Sequence, residues 1–324
     1  MATQIYITMG DLNGIGPEVT IKAISELFPS QNVVFTIVGS GKALEFYSRT
    51  LSAKLTIEEG QPGSDPLKLH FLEVDSEDMN TIEPGLVKAE AGKASVQFIQ
   101  KALTLIENND KAALVTAPIS KQAIWAAGID FPGHTELLAD WFNTENYTMM
   151  LISNELKVGL VTTHHPIRDV SDLLSSDLIM KKCMTINRDL QNRFQIRTPR
   201  IALAGLNPHA GENGQLGTEE EKIIKPAIEK LKQQNVFVEG PFSSDTLFIP
   251  QKLQQYHAIL AMYHDQGMIP VKMQGFGKAV NYTAGLPIVR TSPDHGTAFD
   301  IAGKGLANPS SMIEAIKLAI TLAG

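Results

Sequence analysis

Short apolar runs rich in β-branched residues alternate along the chain with segments whose apolar residues recur at helical spacing. The apolar runs predict strands over residues 4–9, 33–38, 69–74, 113–116, 149–153, 157–162, 201–204 and 258–261. The periodic segments predict helices over residues 17–27, 42–50, 89–107, 177–194, 218–233 and 310–322. Because strands that alternate with helices build a largely parallel sheet covered by helices, this pattern predicts an α/β fold.

Composition and charge exclude several classes of protein. The 324 residues are 43% hydrophobic and 19% charged, which is typical of a globular chain, and the length suits one large domain or, better, two packed ones. The net charge of -7 comes without a basic cluster, so no nucleic-acid partner is expected. No apolar run reaches the roughly 18 residues that span a membrane, and the first residues do not resemble a signal peptide. The single cysteine, Cys183, permits no internal disulfide, and we expect a cytoplasmic protein.

Two glycine-rich segments follow predicted strands but match no nucleotide-binding motif. Residues 10–17 do not have the spacing of G-x-G-x-x-G, and Pro17 is placed as the first residue of a helix. Residues 39–42 lack the spacer of a P-loop and have Ala43 where serine or threonine is needed. Both segments are predicted to be turns between a strand and a helix.

Several histidines lie in segments that follow predicted strands. His164, His209 and His264 each come a few residues after a strand, and His134 precedes a helical segment. Loops at the carboxyl ends of parallel strands converge on one crevice, where three imidazoles could bind a divalent metal. The alternative is that each histidine only caps its own turn, and the spacings contain no local metal motif. Pattern alone leaves both interpretations open.

Sequence blocks from near the first residue to near the last resemble those of the 4-hydroxythreonine-4-phosphate dehydrogenase family. The blocks include ITMGDxxGIGPE (7–18), GHTE (133–136), TTH (162–164), GLNPHAGE (205–212), SDTLF (244–248), AMYHDQG (261–267) and VRTSxDHGTA (289–298). One departure is Leu12-Asn13, where many relatives have Pro-Ala. The segment 295–309 is also similar to the dinucleotide-binding loop of isopropylmalate dehydrogenases.

This resemblance implies a fold like that of isocitrate and isopropylmalate dehydrogenases, with two α/β/α domains and a cleft between them. We expect a discontinuous first domain of residues 1–140 plus 285–324 and a second domain of residues 141–284. The resemblance also implies a homodimer whose active site lies at the subunit interface.

The family's functional residues are carried over only where this sequence matches the family's motifs. The implied ligands of one divalent ion (zinc, magnesium or cobalt) are His164, His209 and His264. The implied substrate-binding residues are His134, Thr135, Lys272, Asn281 and Arg290. The implied NAD-binding residues are His295, Gly296, Asp300 and Asn308. Asp245, Asp265 and Lys272 are candidates for acid–base catalysis, and no general base is assigned.

The resemblance implies NAD-dependent oxidation of 4-phosphohydroxy-L-threonine to 2-amino-3-oxo-4-phosphooxybutanoate. Decarboxylation to 3-amino-2-oxopropyl phosphate would follow, in pyridoxal phosphate biosynthesis. The main alternative is a sister dehydrogenase for D-threonate or D-erythronate 4-phosphate, which would use the same metal-binding and phosphate-binding residues. Two further alternatives agree less well with the tail segment and the intact ligand set. They are a metal-dependent phosphatase or lyase, and a regulator without catalysis.

Overall fold

A computed structural model describes residues 2–74, 82–107, 109, 111–131 and 133–324. The strands of this part of the chain are β1 (Thr3–Thr8), β2 (Val33–Gly39), β3 (Ile57–Glu59), β4 (Leu69–Glu73), β5 (Ala112–Thr116), β6 (Thr148–Ser153), β7 (Leu156–Leu160), β8 (Arg200–Ala204), β9 (Phe237–Phe242), β10 (Ala258–Ala261), β11 (Val280–Ala284) and β12 (Val289–Pro293). The α-helices are α1 (Gly16–Leu27), α2 (Gly41–Leu51), α3 (Ala89–Ile106), α4 (Lys121–Ala126), α5 (His134–Trp141), α6 (Val170–Leu173), α7 (Ser176–Asn192), α8 (Lys225–Gln233), α9 (Ser244–Leu247), α10 (Pro250–Leu253), α11 (His264–Gly275) and α12 (Ser310–Ala323). Among the described residues, no helix is long and apolar enough to cross a membrane.

The chain forms two compact units, of residues 1–143 with 287–324 and of residues 144–286. In the first unit the strands are ordered β3-β4-β2-β1-β5-β12, and each adjacent pair is parallel. Helices α1, α3 and α12 pack on these strands or on one another. Strand β2 is buried along its whole length, as expected for an inner strand of a parallel sheet.

In the second unit the strands are ordered β11-β6-β7-β10-β8-β9. Strand β6 is antiparallel to both of its neighbours, whereas β7, β10, β8 and β9 are mutually parallel. The core of this unit packs residues such as Val158, Ile259 and Val271 between the sheet and α11. The four parallel strands therefore direct their carboxyl ends to one edge of the sheet.

The predicted α/β class is confirmed, and each predicted strand and helix overlaps an observed one. The turn at residues 39–42 is confirmed, because β2 ends at Gly39 and α2 begins at Gly41. The helix predicted over 218–233 begins instead as a π-helical turn, Glu220–Ile224, and continues as α8. Cys183 is buried in α7, and burial raises the pKa of its thiol to about 12.

Several elements were not predicted from the sequence. The periodicity gave no signal for β3, β9, β11, β12 or α11, because these segments are short or interrupted. Strand β9 contains Gly240 and Pro241, and α11 contains Gly267 and Pro270, which usually mark turns. His264, which the sequence placed only after a predicted strand, is the first residue of α11.

Candidate active site

The three histidines proposed as metal ligands follow three neighbouring parallel strands of the second unit. His164 follows β7, His209 follows β8 and His264 follows β10, and the sheet order of these strands is β7-β10-β8. All three imidazoles therefore leave the carboxyl edge of one sheet, where ligands of open α/β sheets bind.

His164 and His264 lie side by side. Their ring centroids are 5.8 Å apart, a separation that allows both rings to face one small group. The loops that carry them are tied together, because the Thr162 hydroxyl donates to the Met262 carbonyl oxygen at 2.8 Å. The Thr162 backbone N–H donates to the same oxygen at 3.2 Å.

Asp265 orients the ring of His264. Its Oδ1 lies 2.7 Å from Nδ1 of His264. When this carboxylate accepts the Nδ1 proton, the lone pair of Nε2 is left for a ligand, as in the carboxylate–histidine pairs of metal sites. Asp265 is thus better placed to orient His264 than to act on its own.

His209 lies in a loop of left-handed backbone. The φ values lie between 44° and 77° in five consecutive residues: His209, Ala210, Gly211, Glu212 and Asn213. The buried side chain of Glu220 holds the start of this loop, because its Oε1 accepts the backbone N–H groups of Leu206 at 2.8 Å and Asn207 at 2.7 Å. Glu220 was not recognised from the sequence. The only feature that distinguished it there was its place in an acidic first helical turn.

Asp245 is the acidic residue associated with His209. It is exposed at the start of α9, and a hydrogen bond from the Ser243 hydroxyl at 2.6 Å lowers the pKa of its carboxyl group. The positive charge that His209 carries when protonated lowers this pKa further. Asp245 is therefore present as a carboxylate at neutral pH.

Within the described residues, no group of three histidine, cysteine, aspartate or glutamate side chains is arranged so that it could hold a metal ion. His164 and His264 form a pair, whereas His209 lies beside Asp245. The donor set itself suits zinc or cobalt, which bind imidazole nitrogen well, better than magnesium.

Gln266 joins the loops that carry this site, and the sequence analysis missed it. Its Oε1 accepts the Met262 N–H at 2.6 Å. Its Nε2 donates to the Gly205 carbonyl oxygen at 2.6 Å and to the Ser244 hydroxyl at 2.8 Å. One buried amide therefore connects the ends of β8 and β10 with the start of α9. The only feature of the sequence that pointed to Gln266 was its position two residues after His264.

The other proposed ligand-binding residues of the second unit are Lys272 and Asn281. Lys272 is exposed on α11. Asn281 lies on β11, and its Oδ1 is buried without a hydrogen-bond partner in the described structure. An unpaired buried acceptor is costly, so this oxygen is suited to receive a ligand hydroxyl or amine.

In the first unit, Arg290 is a completely buried cation on β12. Its side chain has 0% exposure, which rules out a solvated surface charge. Its Nε and one terminal nitrogen donate to the Thr116 hydroxyl at 3.2 and 2.7 Å. Burial lowers the pKa of Arg290 to about 9, while the charge of Glu136 opposes this effect, so the guanidinium stays protonated at neutral pH. A buried guanidinium is well suited to bind a carboxylate or phosphate.

His134 begins α5 in the same unit. Burial lowers the pKa of its imidazole well below the usual value. The charges of Arg290 and Lys121 lower this pKa further, whereas a hydrogen bond to Ala117 raises it. Its Nε2 is buried and has no partner among the described atoms. His134 is therefore neutral at physiological pH. The next residue, Thr135, is half-buried on the same helix.

The tail segment 295–309 packs against the start of α1. The backbone N–H of Ala307 donates to Glu18 Oε1 at 2.7 Å, and Lys22 Nζ donates to the carbonyl oxygens of Gly305 and Ala307 at 2.9 and 2.8 Å. Neither Glu18 nor Lys22 was recognised from the sequence as a residue that shapes this loop.

The residues proposed to bind NAD lie within this tail segment. The Nδ1 of His295 is 3.1 Å from the carbonyl oxygen of Gly296. Asp300 is exposed, and its backbone carbonyl accepts a hydrogen bond from Lys304 at 2.6 Å. Asn308 Oδ1 accepts the Ser310 N–H at 2.9 Å, so Asn308 also caps the start of α12.

These features define an α/β protein with imidazole-bearing loops at the carboxyl edge of a mixed sheet and a buried arginine in its other unit. The chain belongs to the family described as pyridoxal phosphate biosynthetic protein PdxA, whose model matches residues 31–319. The family resemblance inferred from the sequence blocks is confirmed.

Relatives with assigned names match along almost the entire chain. A 4-hydroxythreonine-4-phosphate dehydrogenase of Sulfurihydrogenibium sp. is 43% identical over 319 residues, covering 98% of each chain. A D-threonate 4-phosphate dehydrogenase of Pectobacterium atrosepticum is 41% identical over 327 residues, covering 100% of each. A solved structure of 4-hydroxythreonine-4-phosphate dehydrogenase from Klebsiella pneumoniae is 40% identical, with a TM-score of 0.89, and the match covers 100% of this chain and 98% of that one.

Proposed function

We propose that this protein catalyses the NAD-dependent oxidation of 4-phosphohydroxy-L-threonine to 2-amino-3-oxo-4-phosphooxybutanoate. This β-keto acid then loses carbon dioxide to give 3-amino-2-oxopropyl phosphate, within pyridoxal phosphate biosynthesis. The observation that carries the proposal is the 43% identity, over 98% of both chains, to a relative named for this dehydrogenase.

The side chains of the site suit such a substrate. Arg290 and Lys272 provide cations for phosphate or carboxylate, and Thr135 and Asn281 provide neutral hydrogen-bonding groups. His134 is neutral, so its imidazole can accept or donate one hydrogen bond without adding positive charge.

From the family's motifs we assign one divalent ion to His164, His209 and His264, which would have to come together around it, because the described structure does not arrange three such side chains to hold a metal. When bound, such an ion lowers the pKa of a coordinated hydroxyl group and so favours its oxidation, while NAD accepts the hydride. Asp265 fixes the ring of His264, and Gln266 and Glu220 position the segments that precede His264 and His209.

The metal assignment is tested by metal analysis of the three single His→Ala variants. Each variant should keep its fold, as measured by circular dichroism, and lose bound metal together with turnover. Because ligands of one ion act as a unit, the loss in a double variant should be little greater than in a single one. Full turnover of metal-free His209→Ala protein would contradict the assignment.

A second candidate substrate is D-threonate 4-phosphate or D-erythronate 4-phosphate. It is favoured by the 41% identity to a D-threonate 4-phosphate dehydrogenase over the whole of both chains. The three substrates are distinguished by following NADH absorbance with each of them at equal concentration. We expect kcat/KM to be highest for 4-phosphohydroxy-L-threonine. A higher kcat/KM for D-threonate 4-phosphate or D-erythronate 4-phosphate would mean that this compound is the substrate instead.

We also propose that the protein is a homodimer. Helix α11, which begins at His264 and carries Lys272, exposes two apolar residues one turn apart, and the residue that follows its last one extends this apolar stripe. Ile269, Met273 and Phe276 are 57%, 70% and 88% exposed. Apolar residues in such a stripe favour burial against a second protein surface, here a second copy of this chain.

A further inference from the structure

The second unit contains a cavity of about 740 Å³ at the amino-terminal ends of β7 and β10. It is lined by Leu156 and Lys157 from one strand and by Ala258 and Ile259 from the other. These strands are parallel, with Val158 beside Ile259. The cavity therefore lies at the opposite edge of the sheet from His164 and His264, and its size is that of a small-molecule site.

Lys157 provides a partly desolvated amine in the cavity wall. Its Nζ lies 3.4 Å from the Glu155 carbonyl oxygen and 5.5 Å from the centroid of the Phe194 ring. In the described part of the chain, no carboxylate forms an ion pair with it within 4 Å. Burial lowers the pKa of Lys157, and the charge of Glu155 offsets part of this effect. A partly buried amine of this kind favours an anionic partner, and its neutral fraction is nucleophilic.

His257 provides a second donor, and its tautomer is defined by its contacts. Its ring Nδ1 accepts the backbone N–H of Arg200 at 2.9 Å, and the backbone N–H of His257 donates to the Arg200 carbonyl oxygen at 2.8 Å. Burial and the charges of Lys157 and Arg200 lower the pKa of His257. The neutral ring therefore carries its proton on Nε2, where it can donate to a ligand.

The remaining wall includes an aromatic ring, and further positive charge lies against that ring. Tyr256 lines the cavity, and the cationic groups of Arg200 and Lys252 lie 5.6 and 5.7 Å from its ring centroid. The carboxylates nearby are Glu155, which lines the cavity, and Glu239, which already accepts the Tyr256 hydroxyl. Lys157 lines the cavity itself, whereas Arg200 and Lys252 add positive charge around the Tyr256 ring.

We propose that this cavity is a second small-molecule site, which binds a small organic anion with a flat unsaturated ring through Lys157 and His257. The site is separate from the candidate active site, and none of its residues belongs to the proposed catalytic or ligand-binding set. Its occupation can therefore be measured independently of turnover.

Pyridoxal 5′-phosphate is a suitable probe, because it combines a ring, a phosphate and an aldehyde. The neutral Lys157 amine would add to the aldehyde carbon and release water to form an imine. Borohydride would then deliver hydride to the imine carbon and fix a secondary amine, which peptide mass spectrometry locates. We expect Lys157 to be labelled at least about tenfold more than exposed lysines such as Lys54, a ratio equivalent to about 1.4 kcal/mol.

Four controls separate recognition from simple amine reactivity. Pyridoxine 5′-phosphate, which lacks the aldehyde, should compete with labelling, and pyridoxal without the phosphate should label at least tenfold less. Lys157→Arg should abolish the label and leave dehydrogenase turnover unchanged, whereas His257→Phe should weaken labelling at Lys157. Equal labelling by pyridoxal, absence of competition, or preferential labelling of Lys272 would overturn the proposal.

Discussion

Asp11 illustrates how burial of a single carboxyl group sets a pH dependence of stability. It has 0% exposure, and its Oδ1 accepts the Asn13 backbone N–H at 3.0 Å, while no described atom hydrogen-bonds to its Oδ2. Burial raises its pKa from 3.8 to about 6, and hydrogen bonds from the Asn13 and Gly14 backbones oppose this shift. The folded protein therefore retains a proton that the unfolded chain releases.

Because the folded-state pKa is the higher one, stability is lost as pH rises through the window from about 4 to 6. Relative to Asp11→Asn, the free energy of unfolding of the unmodified protein should fall by about 2 kcal/mol between pH 4 and pH 7. Urea unfolding at several pH values measures this difference. Asp65→Asn, which changes an exposed carboxylate, is the control, and an identical pH profile for Asp11→Asn and the unmodified protein would contradict the prediction.

Asp300 is expected to determine cofactor preference. A carboxylate can accept hydrogen bonds from the adenosine ribose of NAD but repels the 2′-phosphate of NADP. We expect kcat/KM to favour NAD by at least about tenfold, since repulsion between like charges can cost several kcal/mol. Asp300→Lys should narrow this preference by weakening use of NAD and relieving repulsion of NADP.

Lys304 allows a matched control, because its ammonium lies at the Asp300 backbone. Lys304→Gln should reduce any residual use of NADP without narrowing the preference for NAD. If Asp300 only stabilises the loop, the ratio of kcat/KM values will be the same in Asp300→Lys and the unmodified protein.

At the scale of elements, Gln266 makes the site loops interdependent. In Gln266→Met the Met262 N–H and the Gly205 carbonyl oxygen lose their side-chain partner, and an unsatisfied buried group costs about 1–3 kcal/mol. We expect a lower free energy of unfolding by about that amount, together with weaker metal binding. Gln251→Met, at an exposed position of α10, should change neither quantity.

The elements also show what a single sequence can predict. Strands such as β2 and β10 were predicted because buried parallel strands are continuous apolar runs. Helix α11 gave no such signal, because its sequence contains glycine and proline and it buries residues on more than one side. The candidate ligands were found through motifs, whereas Gln266 and Glu220 act through contacts with residues distant in sequence. No local pattern encodes such contacts.

At the scale of the whole molecule, subunit mixing tests whether one site uses groups from two chains. His164 and His264 of one chain lie together, so mixing His164→Ala with His264→Ala subunits should restore no activity. Mixing His134→Ala with His264→Ala subunits should restore about a quarter of normal activity if a partner subunit completes the site. Random exchange makes half the dimers mixed, and each mixed dimer has one intact site. Lack of activity in this second mixture, with subunit exchange verified, would mean that one chain supplies the whole site.

The left-handed backbone around His209 has a consequence for the motions of the protein. Each non-glycine residue in this conformation costs roughly 1–2 kcal/mol, and four of the five residues from 209 to 213 are not glycine. Local opening of this segment releases this strain and therefore costs less free energy than global unfolding. Its amide hydrogens should exchange with deuterium well before those of β8, which immediately precedes the loop. A bound ligand that contacts His209 would slow this exchange in proportion to its affinity, so the loop would report occupancy without any enzymatic assay.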